Sequence, residues 1–232
     1  MMHQSINKKK IYFYLLIFLF VSTSFNFNLL KKIKKTGLIN SINVEGLSLD
    51  EEIIIKEELK IILNSNIFFL NKDLILEKLN QFNFLENIEV QKILPSKIYI
   101  NLTKTSFLGS TIIDGEKFYI GSNGKFTISN QVKNEKNLPL VFGKFQINEF
   151  LDLQSILNKK KIDVNKIDKY YYYRNKRWDL QKENGLILML PSKNIKASLQ
   201  IYKKLIDSES LNSIKIVDLR IPNQIILTHE QK

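Results

Sequence analysis

Residues 11–21, IYFYLLIFLFV, set the first constraint on this chain, because an apolar run of that density needs a protein core or a bilayer around it. Lys8 to Lys10 precede it, a more polar stretch runs from Ser22 to Asn28, and Leu29 and Leu30 resume it. Read as one span, residues 11–30 supply about 20 residues rising about 1.5 Å each, enough for a hydrocarbon core of about 30 Å. A cleaved signal peptide has the same basic start and apolar heart, and Ser22 and Ser24 stand in small-x-small spacing. The combined length favours a retained anchor. Lys31, Lys32, Lys34 and Lys35 balance the basic start, so charge leaves the orientation open. The brevity of residues 1–10, set against everything after residue 30, favours a cytoplasmic tail and an exported body.

The formal charge of +12 would ordinarily suggest a nucleic acid or an anionic surface. Of the 35 basic residues only Arg174, Arg177 and Arg220 are arginine, whereas base and phosphate readers rely on arginine forks. Nucleic acid is therefore not expected as a partner. Cysteine is absent, which excludes disulfides, thiolate chemistry and cysteine metal sites. His3 and His229 have no neighbour at ligand spacing, and no Ser, Lys or Asp has a recognisable activating partner. No enzyme, metal or cofactor is expected.

After the anchor, residues 38–44 read as a short strand with Ile42 and Val44 on one face. Ser48 with Glu51 is a capping box opening a helix to about Leu63, its buried stripe Ile55, Leu59, Ile62 and Leu63. A second helix, Lys72 to Phe82, is capped by Asn71 and buries Leu74, Ile75, Leu79 and Phe82. The acids Asp50, Glu51, Glu52, Glu57 and Glu58 read as a solvated face. Strands Ile88–Leu94 and Lys97–Thr103 complete β-α-α-β-β, helices on one face of a small mixed sheet.

From residue 104 the texture changes. Phe118–Ile120 and Lys125–Ile128 flank an Asn-Gly turn, Leu138–Phe142 is apolar, and Asn148–Leu157 has helical spacing. Ile167–Tyr173, Arg177–Lys182 and Leu186–Leu190 read as antiparallel strands. Residues 194–208 read as a helix, and Ile214–Ile221 with Gln224–Thr228 as a last hairpin around Pro222 and Asn223. Trp178 and Leu180 fall on one, buried face. The Tyr170–Tyr173 run alternates faces, so two rings pack inward and two cover the outside.

An ordered set of short motifs runs through these elements: Val44-x-Gly46, Asn66-Ile67-Phe68, Leu94-Pro95 and Ile98-x-Ile100, then Leu138-Pro139-Leu140 with Gly143. Arg177-Trp178-x-Leu180, Asn184-Gly185 with Leu190, and Val217-Asp218-Leu219-Arg220 complete it. The first four resemble a POTRA module, and the whole order, behind an anchor, resembles the FtsQ/DivIB family. Lys104, Phe107, Gly109 and Gly121 depart from the family's usual residues. The fold implied is α+β: cytoplasmic tail 1–10, transmembrane helix 11–30, POTRA module 38–104, and a mixed β-rich domain with two helices over 105–232.

The resemblance implies a single-pass inner-membrane scaffold of the division septum, its body periplasmic, with FtsB-like and FtsL-like coiled-coil proteins and other division proteins as partners. A POTRA-bearing outer-membrane assembly or secretion accessory is the rival. Residues 105–232 are too few for a 16-strand barrel at about ten residues per strand plus turns. The closing strand Gln224–Thr228 has no later strand to cover it, so a sheet edge is expected there. The resemblance places strand addition by the FtsB-like partner at the same stretch. Arg220, Ile221, Gln224, Ile225, Ile226, Leu227 and Thr228 are the candidate contacts, with Ile221 standing where an aromatic is common.

Overall fold

The computed structural model describes residues 8–24, 37–132, 135, 137–208 and 213–229. Helix α1, Lys8–Ser24, has 17 residues, with the side chains of Ile11 to Val21 exposed. Among the described residues no helix is long and apolar enough to cross a membrane. The end of the expected span, residues 25–30, lies outside the described residues, as does His3.

The chain divides into two compact units, residues 1–81 with 87–102, and residues 82–86 with 103–232. In the first, strand β1, Ser41–Glu45, lies parallel to β3, Lys97–Lys104, with β2, Leu85–Ile93, on the other side of β3. Ile98, Ile100 and Leu102 are buried while alternate residues of β3 are not, as the period-two pattern predicts. Helix α2, Leu49–Glu58, and helix α3, Lys72–Asn80, accompany this sheet. The first predicted helix instead ends at Glu58 and continues as a 3₁₀ turn, Leu59–Ile62, which still brings Leu59 and Ile62 inward beside Ile55.

Two expectations fail here. Glu51, read as part of a solvated face, is 2% exposed, because its carboxylate turns back to accept the Ser48 amide at 3.2 Å in the capping box. Leu74, expected in the core, is 41% exposed: the α3 stripe is Ile75 and Leu79, and Leu74 lies one residue, about 100°, off it. Asn71 caps α3 as predicted, its Oδ1 accepting the Asp73 amide at 3.0 Å.

The second unit is built on one mixed sheet. Its strands are β4 Phe107–Ile113, β5 Glu116–Gly121, β6 Phe126–Ile128, β7 Leu140–Phe142, β8 Ile167–Tyr172, β9 Trp178–Lys182, β10 Ile187–Met189, β11 Ile214–Asp218 and β12 Ile226–His229. Their spatial order is β12-β11-β10-β9-β8-β7-β4-β5-β6. The parallel neighbours β7 and β8 are linked by helix α4, Ile147–Lys159, and the parallel pair β10 and β11 by helix α5, Ile195–Ser208. Each is a β-α-β crossover, the connection that parallel strands require. One cluster holds Phe150, Leu153 and Leu157 of α4, Leu199 and Tyr202 of α5, and the inner sheet residues, so both helices cover the same face.

Register aligns that face in one row across six strands: Val141, Tyr170, Leu180, Leu188, Val217 and Leu227. The next row, Phe142, Tyr171, Asp179, Met189, Asp218 and Ile226, points the other way. Trp178 packs 4.7 Å from Tyr172, 5.7 Å from Phe145 and 5.9 Å from Phe150 between ring centroids. The tyrosine run divides as predicted: Tyr170 is fully buried and Tyr172 packs on the core, while Tyr171 stacks on Phe142 outside. β4 escaped the sequence reading because FLGSTII carries no alternation. Ser110 and Thr111 are buried there, and the Thr111 hydroxyl donates to the Val141 carbonyl at 2.8 Å.

Gly143 closes β7 with φ +105°, where a Cβ would stand 2.2 Å from the Tyr172 carbonyl oxygen. Trp178→Ala should therefore cost about 3–5 kcal/mol, read as a lower denaturant midpoint; a loss below about 1 kcal/mol would mean the ring is not part of the core.

Candidate partner-binding edge

β11 and β12 form an antiparallel hairpin with Val217 opposite Leu227 and Asp218 opposite Ile226. The ladder to β12 ends there, while the Leu219 amide continues the parallel pairing with β10 on the Met189 carbonyl, at 2.9 Å. β12 consequently begins at Ile226 and runs to His229, not over Gln224–Thr228 as the sequence suggests. The connection closes through the Gln224 amide on the Ile221 carbonyl at 3.2 Å, with Asn223 at φ +59°.

Burial sorts the candidate residues. Ile225 and Leu227 pack on the core and are explained by it. Ile226, 47% exposed, and Ile221, 45% exposed, are not; Gln224, Thr228 and Arg220 are also exposed. Among the described residues β12 ends the sheet, so one side of its backbone faces β11 and the other pairs with no strand. The opposite edge, β6, differs: its Phe126 carbonyl already accepts a hydrogen bond from the Asn83 side-chain Nδ2 at 2.9 Å.

Charge at the hairpin is fixed by short contacts. Asp218 Oδ1 accepts both the Arg220 backbone amide, at 2.9 Å, and Arg220 Nε, at 2.8 Å. The Arg220 guanidinium, bonded to that carboxylate, holds the Asp218 pKa below the ordinary value, against a smaller opposing effect of burial. Asp179, opposite Met189 in the same outward row and 3% exposed, behaves in the opposite sense. Burial pushes its pKa up, with Arg177 partly offsetting the rise from 3.4 Å. The Arg177 guanidinium lies 4.3 Å from the centre of the Tyr173 ring. Arg177, Asp218, Arg220, Ile221 and Ile226 line one cleft of about 800 Å³ beside the edge. Sequence reasoning placed Arg220, Ile221 and Ile226 here but missed Arg177 and Asp179, since only strand register carries β9 next to the last hairpin.

Residues 38–104 match the family model described as POTRA domain, FtsQ-type, and residues 112–220 match the one described as Cell division protein FtsQ/DivIB, C-terminal. The chain belongs to the FtsQ/DivIB family. FtsQ/DivIB proteins are cell division proteins. This chain is 28% identical over 188 residues to Cell division protein FtsQ of Rickettsia bellii, covering 80% of this chain and 70% of that one. It is 26% identical to the FtsQ of Bradyrhizobium diazoefficiens, covering 70% of this chain and 48% of that one. With the FtsQ of Agrobacterium fabrum the identity is 23%, over 80% of this chain and 59% of the other. Against two of these three relatives, therefore, the match spans less than two thirds of their length. The extracytoplasmic domain of DivIB from Geobacillus stearothermophilus aligns at 12% identity with a TM-score of 0.34, over 47% of this chain and 99% of that domain.

Within this FtsQ/DivIB chain the Val217-Asp218-Leu219-Arg220 motif has a physical reading. Val217 and Leu219 are buried, and Asp218 and Arg220 alternate with them as a bonded pair on the other side. Gly121, a departure from the family's usual acid, leaves room that a Cβ would take from Asn123 Oδ1, at 2.5 Å, and from Thr105.

Because the folded Asp218 pKa is depressed, its stabilisation is complete above the unfolded value of about 3.9 and is lost as pH falls through the folded value. Asp218→Asn should flatten the acid side of a plot of Tm against pH, and an unchanged acid limb would show that the pair contributes nothing there.

Proposed function

We propose that this FtsQ/DivIB chain is a non-enzymatic, single-pass scaffold of the division machinery that receives a strand from a partner along β12. One observation carries the reading: β12 is the last strand of a core-anchored sheet, and Ile226 is exposed on it between two residues that the core accounts for. A strand added there would gain main-chain bonds along the open side, with Ile226 and Thr228 reading its alternate side chains. The cleft with Arg220 and Ile221 would take a side chain flanking the added strand. The FtsB-like protein is the proposed strand donor, with the FtsL-like protein and other division proteins assembled through it.

The membrane arrangement belongs to the same proposal: tail 1–10 cytoplasmic, residues 11–30 spanning the inner membrane, POTRA module 38–104 and β domain 105–232 periplasmic, at the septum. It is supported by α1, whose apolar side chains are exposed all around the helix, as a span in lipid requires.

Replacing Ile226 with Lys keeps every core contact and should lower affinity for the FtsB-like partner while leaving Tm unchanged. Ile226→Pro removes the amide that faces β11 and so loosens the strand on which a partner would pair, and should weaken binding further. Unchanged affinity in a folded Pro variant would contradict strand addition at β12.

A further inference from the structure

In the first unit, Ile67 and Leu70 are buried, at 0% and 8% exposure, while the two residues between them are turned outward, Phe68 at 48% and Phe69 at 67%. The turn is closed tightly. The Phe69 and Leu70 amides donate to the Asn66 carbonyl at 3.1 and 2.9 Å, and the Phe68 amide donates to Asn66 Oδ1 at 3.0 Å. Burial of Ile67 and Leu70 fixes the turn; nothing in its backbone geometry calls for aromatic rings on the side facing water. Two ammonium groups are held beside it: Lys92 Nζ donates to the Leu70 carbonyl at 2.6 Å and Lys72 Nζ to the Val90 carbonyl at 3.0 Å.

The chain enters the folded part of this unit at the same turn. The Ile67 amide donates to the Gly37 carbonyl at 2.8 Å, Leu38 bridges to Asn66, and a Cβ on Gly37 would stand 2.8 Å from the Phe68 ring. Residues 25–36, which join this point to α1, contain Lys31, Lys32, Lys34 and Lys35. At about 3.3–3.6 Å per residue these twelve residues reach at most about 40 Å. If α1 is held in a bilayer, the Phe68 ring stands beside the point where the tether enters the unit.

We propose that the turn at residues 67–70 is a membrane-contact element, in which Phe68 and Phe69 seat in the interface of an anionic bilayer while Lys72 and Lys92 meet its headgroups. Exposed aromatic side chains flanked by fixed cations are the composition that such an interface binds, through apolar burial together with attraction to acidic lipid. This rests on the anchor reading of α1 and adds to it a second contact that sets how the POTRA module stands on the membrane.

The absence of cysteine lets single cysteines report one position each. The full chain is reconstituted in vesicles with or without phosphatidylglycerol, carrying a nitrobenzoxadiazole label at Leu16→Cys, Phe69→Cys or, as an equally apolar exposed control in β4, Ile112→Cys. Quenching by nitroxide lipids is then read. The expected result is quenching of Leu16 in both vesicles, quenching of Phe69 with phosphatidylglycerol and its loss in neutral vesicles or with Lys72→Gln/Lys92→Gln, and none at Ile112. Quenching at Leu16 with Phe69 no different from Ile112 would overturn the contact and leave the anchor standing. An unquenched Leu16 would overturn the anchor and this inference with it. Shielding of Phe69 that rises with protein concentration without lipid quenching would assign the rings to a protein partner and equally overturn it.

Discussion

The packing of Trp178 among Phe145, Phe150, Tyr170 and Tyr172 is the interaction on which the second unit depends. Trp178 stands on β9, near the middle of the sheet, and Phe150 stands on α4, so one set of ring contacts joins the sheet to its first crossover helix. The Tyr172 hydroxyl donates to Glu149 at 2.7 Å and ties the start of α4 to β8 from a second direction. Burial, with Glu149 adding to it, pushes the Tyr172 pKa up to about 12. Once α4 is seated, the inner row from Val141 to Leu227 is covered, and α5 completes the same layer. Trp–aromatic and edge-to-face contacts of this kind add to the area buried by each ring.

That core also explains the edge. The last hairpin joins the sheet through β11, whose Val217 is fully buried, and Leu227 of β12, with Ile225 just before the strand, joins the same cluster. The strand is thus held firmly on one face and by one neighbour, with its outer backbone side left over. A strand anchored this way can accept another without rearranging, since the ordering cost has been met by the core. The other end of the sheet is less suited: β6 has three residues, and Asn83 occupies part of its border.

Much of this was legible in the sequence, for identifiable reasons. Alternation in Ile98, Ile100 and Leu102, the Ser48–Glu51 and Asn71 caps, the Asn-Gly turns and the Trp178–Leu180 face each express a local rule that the fold obeys. β4 was not legible because its buried residues are Gly109, Ser110 and Thr111, small or polar groups that form no apolar pattern, and of these the Thr111 hydroxyl bonds a backbone carbonyl. Glu51 misled because an acid in a first turn is ordinarily solvated, and only the returning hydrogen bond reveals that it is covered. The residues around the edge were partly legible. Arg220, Ile221 and Ile226 are contiguous with the family motif, whereas Asp179 and Arg177 arrive from β9 through a parallel β10–β11 pairing that no local signal encodes.

The central claim is that a partner closes the open side of β12. Amide hydrogen exchange on the full chain, with and without the FtsB-like partner, addresses it directly, because backbone pairing protects individual amides whatever the side chains do. Strand addition predicts that alternate amides of Ile226–His229, those not facing β11, become slow to exchange in the complex while the amides of β6 stay as they were. Protection that appears elsewhere on the second unit and leaves β12 unchanged would contradict it.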